Sequence, residues 1–265
     1  MSVLSLAAIY RFPVKSLRGG AFDELAIDAR GLVHDRHWMV VDEDGRFLTQ
    51  RQLSRMALID TLVDEAGVLH LAAPGMPALA VAAAVPTRRS VVVWDDRVEA
   101  AVVDPAADRW LSTFLGRECR LVEQPADVQR RVNPDYARAD DEVGFADGFP
   151  FLLISQASLD ALNARLAVPV PMLRFRPNLV VSGCEAHAED SWRRIRIGDI
   201  TFRVAKPCSR CVIPTVDIDT GERGQEPMRT LLGYRRRDNK VYFGQNLLHD
   251  AVGHLRVGMP VEVLE

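Results

Sequence analysis

Cys208-Ser209-Arg210-Cys211 places two thiols around one arginine, and Asp217 and Asp219 follow on the same turn-rich segment. Thiolate is a soft ligand and a neighbouring cation favours the deprotonated sulfur, so this spacing suits a soft metal centre. A second cluster is Arg174-Phe175-Arg176-Pro177-Asn178. Proline after Arg176 predicts extended backbone at that arginine, which aims a guanidinium fork beside an amide at a planar, anionic or heteroaromatic ligand. Lys15, in Phe12-Pro13-Val14-Lys15-Ser16, follows a proline-bent strand end and can meet phosphate as a point charge. Asp35-Arg36-His37-Trp38 is a dense polar approach to a strand, read equally well as a structural Asp–Arg pair. Asp147, in Ala146-Asp147-Gly148, either caps a turn or accepts hydrogen bonds from an amino-pyrimidinone edge.

Other chemistries compete for these residues. A thioredoxin-like C-x-x-C opens a helix after a strand, whereas Pro214, Asp219 and Gly221 here argue against a long helix after Cys211. Cys184-Glu185-Ala186-His187 is a C-x-x-H that could join Cys208 and Cys211 in a tetrahedral zinc site. Cys119 and Cys184 also read as plain buried packing. The six histidines show no HExxH spacing, and no G-x-S-x-G, phosphate-loop or dinucleotide-binding pattern is present.

Composition narrows the class. A chain of 265 residues with 48% apolar and 26% charged residues is an ordinary globular protein of one large or two modest domains. Such a length buries about 70–75% of the unfolded surface, so the core needs no metal staple. A net charge of −3 leaves no footprint for nucleic acid or an anionic membrane. The apolar run Ala78–Val85 is far shorter than a membrane span, and the first ten residues lack the basic start of a signal peptide. Four cysteines make no disulfide framework, so a reducing cytoplasm is the expected compartment. Of 33 basic residues only Lys15, Lys206 and Lys240 are lysines, which codon bias explains, yet Lys15 and Lys206 fall inside the motifs.

The elements that must position these residues read as mainly β with some α. Three hairpins are expected in the first hundred residues, turning at Asp42–Gly45, Asp64–Gly67 and Asp95–Arg97. Their spacing predicts an antiparallel sheet or small barrel. Asp104-Pro105 caps a helix with Trp110, Leu111, Phe114 and Leu115 on one face, ended by Gly116. Residues 124–142 read as loop, Phe149–Ile154 as a buried strand, and Ser155 as the start of a helix running to about Leu166. Strands follow at Leu179–Val181, Ile195–Ile197, Thr201–Val204, Val241–Phe243 and Val261–Leu264, with a domain boundary near residue 122.

In this order, Phe12-Pro13-Val14-Lys15-Ser16, Gly31 through Trp38, Arg176-Pro177-Asn178 through Cys184, Ala188–Trp192, Cys208–Cys211 with Thr215-Val216-Asp217, and Val257–Val261 resemble the MOSC proteins. Among these the chain is most similar to the amidoxime-reducing components and their bacterial counterparts, across nearly its whole length. The resemblance implies an N-terminal β-barrel-like domain over residues 1–122 and a MOSC domain over residues 123–265. It also implies a molybdenum cofactor, with the Cys211 thiolate as the protein's ligand to the metal and Cys208 at a non-ligand position. Lys15, Ser16, Arg36, Arg176, Asn178, Ser209 and Arg210 match positions that hold the pterin and its phosphate. Asp147 and Gly148 match a further cofactor-contacting turn, and Asn246 stands where mitochondrial relatives carry tyrosine. Asp217 is the candidate for tuning or proton relay, with support of the Cys211 turn as its structural alternative. The implied activity is reduction of N-hydroxylated substrates: hydroxylamines, amidoximes and N-hydroxylated bases. Some relatives extend into an iron–sulfur ferredoxin-like domain, and this chain offers no further cysteines for a cluster, so a separate ferredoxin- or flavoprotein-type donor is expected. A cofactor or sulfur carrier without reductase activity, and a zinc-holding interaction protein, are the rival functions.

Overall fold

The computed structural model describes residues 3–85 and 87–265. The strands of the first half are β1 (Ser5–Arg11), β2 (Gly20–Phe22), β3 (Glu24–Asp28), β4 (Gly31–Leu32), β5 (Trp38–Val41), β6 (Asp60–Val63), β7 (Leu69–Ala72), β8 (Leu79–Ala80), β9 (Arg88–Val93), β10 (Asp96–Val102) and β11 (Arg120–Glu123). Those of the second half are β12 (Phe151–Ser155), β13 (Leu179–Ser182), β14 (Arg194–Ile197), β15 (Ile200–Ser209), β16 (Arg236–Arg237), β17 (Lys240–His249), β18 (Gly253–Arg256) and β19 (Val261–Val263). Three α-helices accompany them: α1 (Pro105–Leu115), α2 (Gln156–Asn163) and α3 (Met228–Tyr234). The fold is mainly β with some α, as the hairpin spacing predicts.

A nine-stranded sheet runs β19-β14-β15-β17-β12-β13-β1-β2, with β16 paired to β17. Its two faces alternate into different cores. Leu6, Ile9, Phe151, Leu153, Leu179, Ile195, Phe202 and Leu247 fill one. Ile154, Val180, Phe175 and Phe243 fill the other, together with Leu159 and Leu162 of α2 and Leu231 of α3. Strands β12 and β13 are parallel, and α2 supplies the crossover that a parallel pair requires. The first half builds a separate core from Trp38, Leu48, Met56, Leu71, Trp110, Leu111 and Phe114, around the sheets β5-β11-β10-β9 and β6-β7-β8. Strands β1 and β2 nevertheless belong to the large sheet, and β3 pairs with β18.

Local signals hold where one turn or cap decides the geometry. Asp104 caps α1 by accepting from the Ala106 amide, and Gly116 ends it at φ +66. Ser155 caps α2 through the Ser158 amide, but α2 stops at Asn163, whose side-chain amide donates to the Val170 carbonyl and accepts from the Val170 amide. The hairpin β6–β7 forms as expected. In β9–β10 the turn sits earlier, at Trp94-Asp95, because Val93 already pairs with Asp96. The first expected hairpin is a turn with Gly45 at φ +78, yet the returning chain meets β5 only at the bridge Val41–Phe47, and the ladder partner of β5 is β11. No helix among the described residues is long and apolar enough to cross a membrane.

Candidate functional site

A single cleft of about 160 Å³ is lined by Lys15, Ser16, Arg36, Asp147, Gly148, Arg176, Asn178, Ser209, Arg210, Cys211 and Asn246, together with Cys208, Arg51 and several apolar side chains. Residues as distant in sequence as Lys15 and Asn246 therefore share one wall-to-wall site. The exception is Asp217. Its carboxylate accepts from the Asp219 and Thr220 amides at 2.9 and 3.0 Å and from Arg174 at 2.9 Å. The Asp219 amide, outweighing slight burial, holds this carboxyl below the ordinary range. Asp217 thus closes the turn after Cys211 and lies outside the cleft lining.

Three cleft residues sit in left-handed backbone without being glycine: Ser16 at φ +65, Arg36 at φ +47 and Arg176 at φ +57. Such backbone is disfavoured for side-chain-bearing residues, and His34, Trp94, His187, Asp238 and Asn239 adopt it elsewhere. At Arg176 this corrects the extended geometry expected before Pro177. A short 3-10 turn, Met172–Phe175, ends there, and the Arg176 amide closes it onto the Leu173 carbonyl. The guanidinium fork is still fixed in direction, because it donates to the Leu17 carbonyl at 2.6 Å and lies 4.3 Å from the Phe12 ring.

The cation wall is built from backbone outward. Arg36 donates to Asp35 at 2.5 Å, to the Asn178 side-chain carbonyl at 3.0 Å and to the Arg176 carbonyl at 3.0 Å. Asn178 also receives the Leu152 amide and donates to the Tyr10 carbonyl, so β1 and β12 fix its orientation. Lys15, only 3% exposed, donates to the Phe145 carbonyl at 2.7 Å and to Asp147 at 2.5 Å. Burial pushes the Lys15 ammonium down to about 8 in spite of Asp147. Burial would raise Asp147, but Lys15 and Arg51 outweigh it and hold the carboxyl well below the ordinary range. The Asp147 side chain remains 57% exposed at the open side of the cleft, so solvent screens this pair. Burial, and then Arg36, depress Arg176, although a guanidinium stays charged at neutral pH.

The two motif thiols are free and are approached by different guanidinia. Arg210 donates to the Cys208 sulfur at 3.2 Å and to the Phe175 carbonyl at 2.7 Å, leaving its buried Nε without a partner. Arg51 donates to the Cys211 sulfur at 3.4 Å and to Asp147 at 3.2 Å, and stacks 4.9 Å from Trp94. Trp94 in turn donates to Asp147 at 3.2 Å. Arg51 and Trp94 escape a sequence reading because one lies on a loop and the other in the β9–β10 hairpin turn, and each meets the cleft only through tertiary packing. The neighbouring Gln50 was the available signal: a polar residue after Leu48, it is buried and donates to the Ser16 carbonyl at 2.7 Å. Asn246 donates to the Lys206 carbonyl at 3.3 Å, and Ser209 is exposed at the end of β15. Among the described residues no three His, Cys, Asp or Glu side chains converge as metal ligands, so Cys184 and His187 do not complete a set with Cys208 and Cys211.

Comparison with known proteins shows the family of the chain. Residues 3–118 match the family model described as the MOSC N-terminal beta barrel domain, and residues 140–262 match the MOSC domain. Human mitochondrial amidoxime-reducing component 1 is 36% identical, covering 98% of this chain and 83% of the relative. Mitochondrial amidoxime reducing component 2 of Rattus norvegicus is 35% identical over 97% of this chain and 82% of its own. A molybdenum cofactor sulfurase of Oryza sativa subsp. japonica is 31% identical over 92% of this chain but only 32% of its own length. The chain belongs to the MOSC-domain proteins with an N-terminal MOSC β-barrel domain, and its similarity to the amidoxime-reducing components extends over nearly its whole length.

Proposed function

We propose that this protein holds a molybdenum cofactor in the cleft and reduces N-hydroxylated substrates with electrons from a separate ferredoxin- or flavoprotein-type donor. The observation that carries the reading is the chemistry of the donor set. Five cations, Lys15, Arg36, Arg51, Arg176 and Arg210, line the cleft against a single lining carboxylate, Asp147, and Arg210 keeps an unpartnered buried Nε. Such a wall calls for an anion, which the phosphate of a pterin cofactor supplies. The amide of Asn178 and the turn at Asp147-Gly148 fit its polar ring edge. Cys211 offers the one thiol bridged to Asp147 through Arg51. The residues therefore fit the group.

Bound there, the cofactor would supply a two-electron couple for breaking an N–O bond, converting a hydroxylamine and two protons into an amine and water. The protein's residues do the rest. Lys15, Arg36, Arg176 and Arg210 would neutralise the phosphate, and Ser16 and Ser209 would donate hydrogen bonds to it. Arg51 would hold the Cys211 sulfur in place by donating to it, with the Trp94 ring fixing the guanidinium. Asp217 holds its own turn through the Asp219 and Thr220 amides and is tied to Arg174, downstream of Cys211. A second reading, cofactor carriage without reduction, is favoured by the likeness to a molybdenum cofactor sulfurase.

The test is metal and pterin analysis of protein purified from a cofactor-competent host, followed by amidoxime reduction with a chemical donor. Stoichiometric molybdenum and pterin with turnover is the expected result. One equivalent of zinc without molybdenum sinks the cofactor reading, and bound cofactor without turnover leaves carriage.

A further inference from the structure

A second cavity, of about 320 Å³, adjoins the cleft, and Ser209 lines both. The proposed reductase chemistry does not use it. Strand β15 contributes Lys206 and Ser209, while β17 contributes Lys240 and Tyr242, and Ser209 faces Tyr242 across the ladder. The turn at Asp238-Asn239, both at positive φ, brings Arg237 of β16 to 5.0 Å from the Tyr242 ring. The Lys206 ammonium lies 4.2 Å from the Tyr136 ring and 5.3 Å from that of Phe149. Among the described residues none of Lys206, Arg237 and Lys240 reaches a carboxylate at ion-pair distance, whereas nearby Arg203 and Arg235 do. Asp238 is the single carboxylate on the lining.

Three unpaired cations beside two tyrosine rings form an anion site with an aromatic wall. The residue type sharpens this. The chain uses lysine at only three positions; Lys206 and Lys240 line this cavity, and Lys15 lines the cleft. Lysine meets phosphate as a compact point charge, and here it does so on an open lining, with Tyr136, Arg237 and Lys240 exposed. A concave, ring-lined cavity suits a small molecule better than the flat face of a partner protein.

We propose that this cavity is a subsite for the phosphate monoester of an aromatic substrate, so that N-hydroxylated nucleotides are preferred over the corresponding bases and nucleosides. The inference rests on the reductase reading. The N–O bond would be cleaved in the main cleft with two electrons from the donor and two protons, giving amine and water. The phosphate takes no part in the reaction and serves only as a handle.

The test has a binding arm and a turnover arm, both on cofactor-loaded full-length protein so that the cofactor's own phosphate site is filled. Cytidine monophosphate, cytidine and inorganic phosphate are titrated calorimetrically against wild type, Lys206→Met, Lys240→Met and Lys206→Arg. The monophosphate should bind at least about tenfold more tightly than cytidine, and each methionine variant should remove most of that difference. In turnover, N-hydroxycytidine monophosphate should show a KM about tenfold below that of N-hydroxycytidine, with the nucleoside's own kcat/KM unchanged in the variants. Equal affinity for cytidine and its monophosphate overturns the proposal, as does a preference that survives both methionine substitutions. Tight binding of inorganic phosphate with no gain from the nucleoside overturns the aromatic part. Variants that lose turnover only with a protein donor, without any phosphate preference, assign the cavity to donor docking and overturn it too. If nothing is reduced but lysine-dependent nucleotide binding persists, the reductase reading falls and the anion subsite stands.

Discussion

Cys208 and Cys211 are separated by two residues, yet their surroundings assign them different work. Cys208 receives Arg210, whose other bond goes to the backbone at Phe175, so its thiol braces a turn. Cys211 receives Arg51, which also grips Asp147 at the open side. Under the proposed function, Cys211→Ala should abolish N-reduction and change the molybdenum spectrum, while Cys208→Ala keeps a molybdenum–thiolate signal and partial activity. The reverse pattern reassigns the ligand. Lys15 gives a pH dependence whose sign follows from its environment. With the native ammonium lowered to about 8 from 10.5, the unfolded chain binds more protons than the native one between those values. Stability from Lys15 therefore rises as pH climbs through that window, and below it the folded protein carries the cost of a buried charge. Anion affinity runs the opposite way, because the same proton supplies the attraction. Sulfate, whose own charge is constant, should bind cofactor-free protein about tenfold more weakly at about pH 9 than at about pH 7. Lys15→Met should flatten that profile, and an unchanged profile in the variant would assign the titration elsewhere.

At the scale of elements, β15 and β17 carry Ser209 and Asn246 to the cleft on one antiparallel ladder. Gly244 of β17 lies at φ +84, and a Cβ there would come 2.8 Å from the Leu153 carbonyl oxygen and 2.7 Å from Ile154. Backbone cannot retreat cheaply, so Gly244→Ala should cost about 1–3 kcal/mol and displace Asn246, two residues on. Gly233, inside α3, is the control: a Cβ meets nothing within 4 Å, so Gly233→Ala should stabilise by about 0.5–1 kcal/mol. Denaturant midpoints of the two variants should move in opposite directions. The same contrast explains what was legible in the sequence. Caps at Asp104, Gly116 and Ser155 and the β6–β7 hairpin are decided by residues within one turn of each other, so local pattern suffices. The full lengths of β15 and β17 were not legible: Lys206–Ser209 and Gly244–His249 lack clean alternation and are strand because each pairs with the other. Helix α3 was invisible for a similar reason, since only Leu231 is buried and it packs into a core made elsewhere. For the site, motif residues surfaced because their chemistry is unusual in sequence, whereas Arg51 is one arginine among many until folding sets it against Cys211 and Trp94.

For the molecule as a whole, the first strands decide whether the two halves are separable. The reading of residues 1–122 and 123–265 as two domains rests on the order of elements and on resemblance, while β1 lies between β13 and β2 in the large sheet and β3 pairs with β18. Leu6 and Ile9, both fully buried, belong to the same core as Phe151, Leu153, Leu179 and Phe202. Burying each such side chain contributes about 1.5–3 kcal/mol, and losing β1 also strips one edge of β13 of its ladder. Those losses are large against a total stability of about 5–15 kcal/mol. The cleft is divided in the same way: Lys15, Arg36 and Arg51 come from the first half, and Arg176, Arg210 and Cys211 from the second. A fragment of residues 123–265 should therefore aggregate or melt without a cooperative transition and, under the proposed function, should retain no molybdenum. The full chain should unfold with its large sheet as one unit. Supplying residues 1–34 ahead of 123–265 through a flexible linker should restore a cooperative transition, since β1 to β4 then regain their partners, but not cofactor retention, since Arg36 and Arg51 remain absent. A cooperative transition in the bare fragment, with a midpoint equal to that of the full chain, would show that β1 is dispensable and that the boundary near residue 122 separates independent folding units.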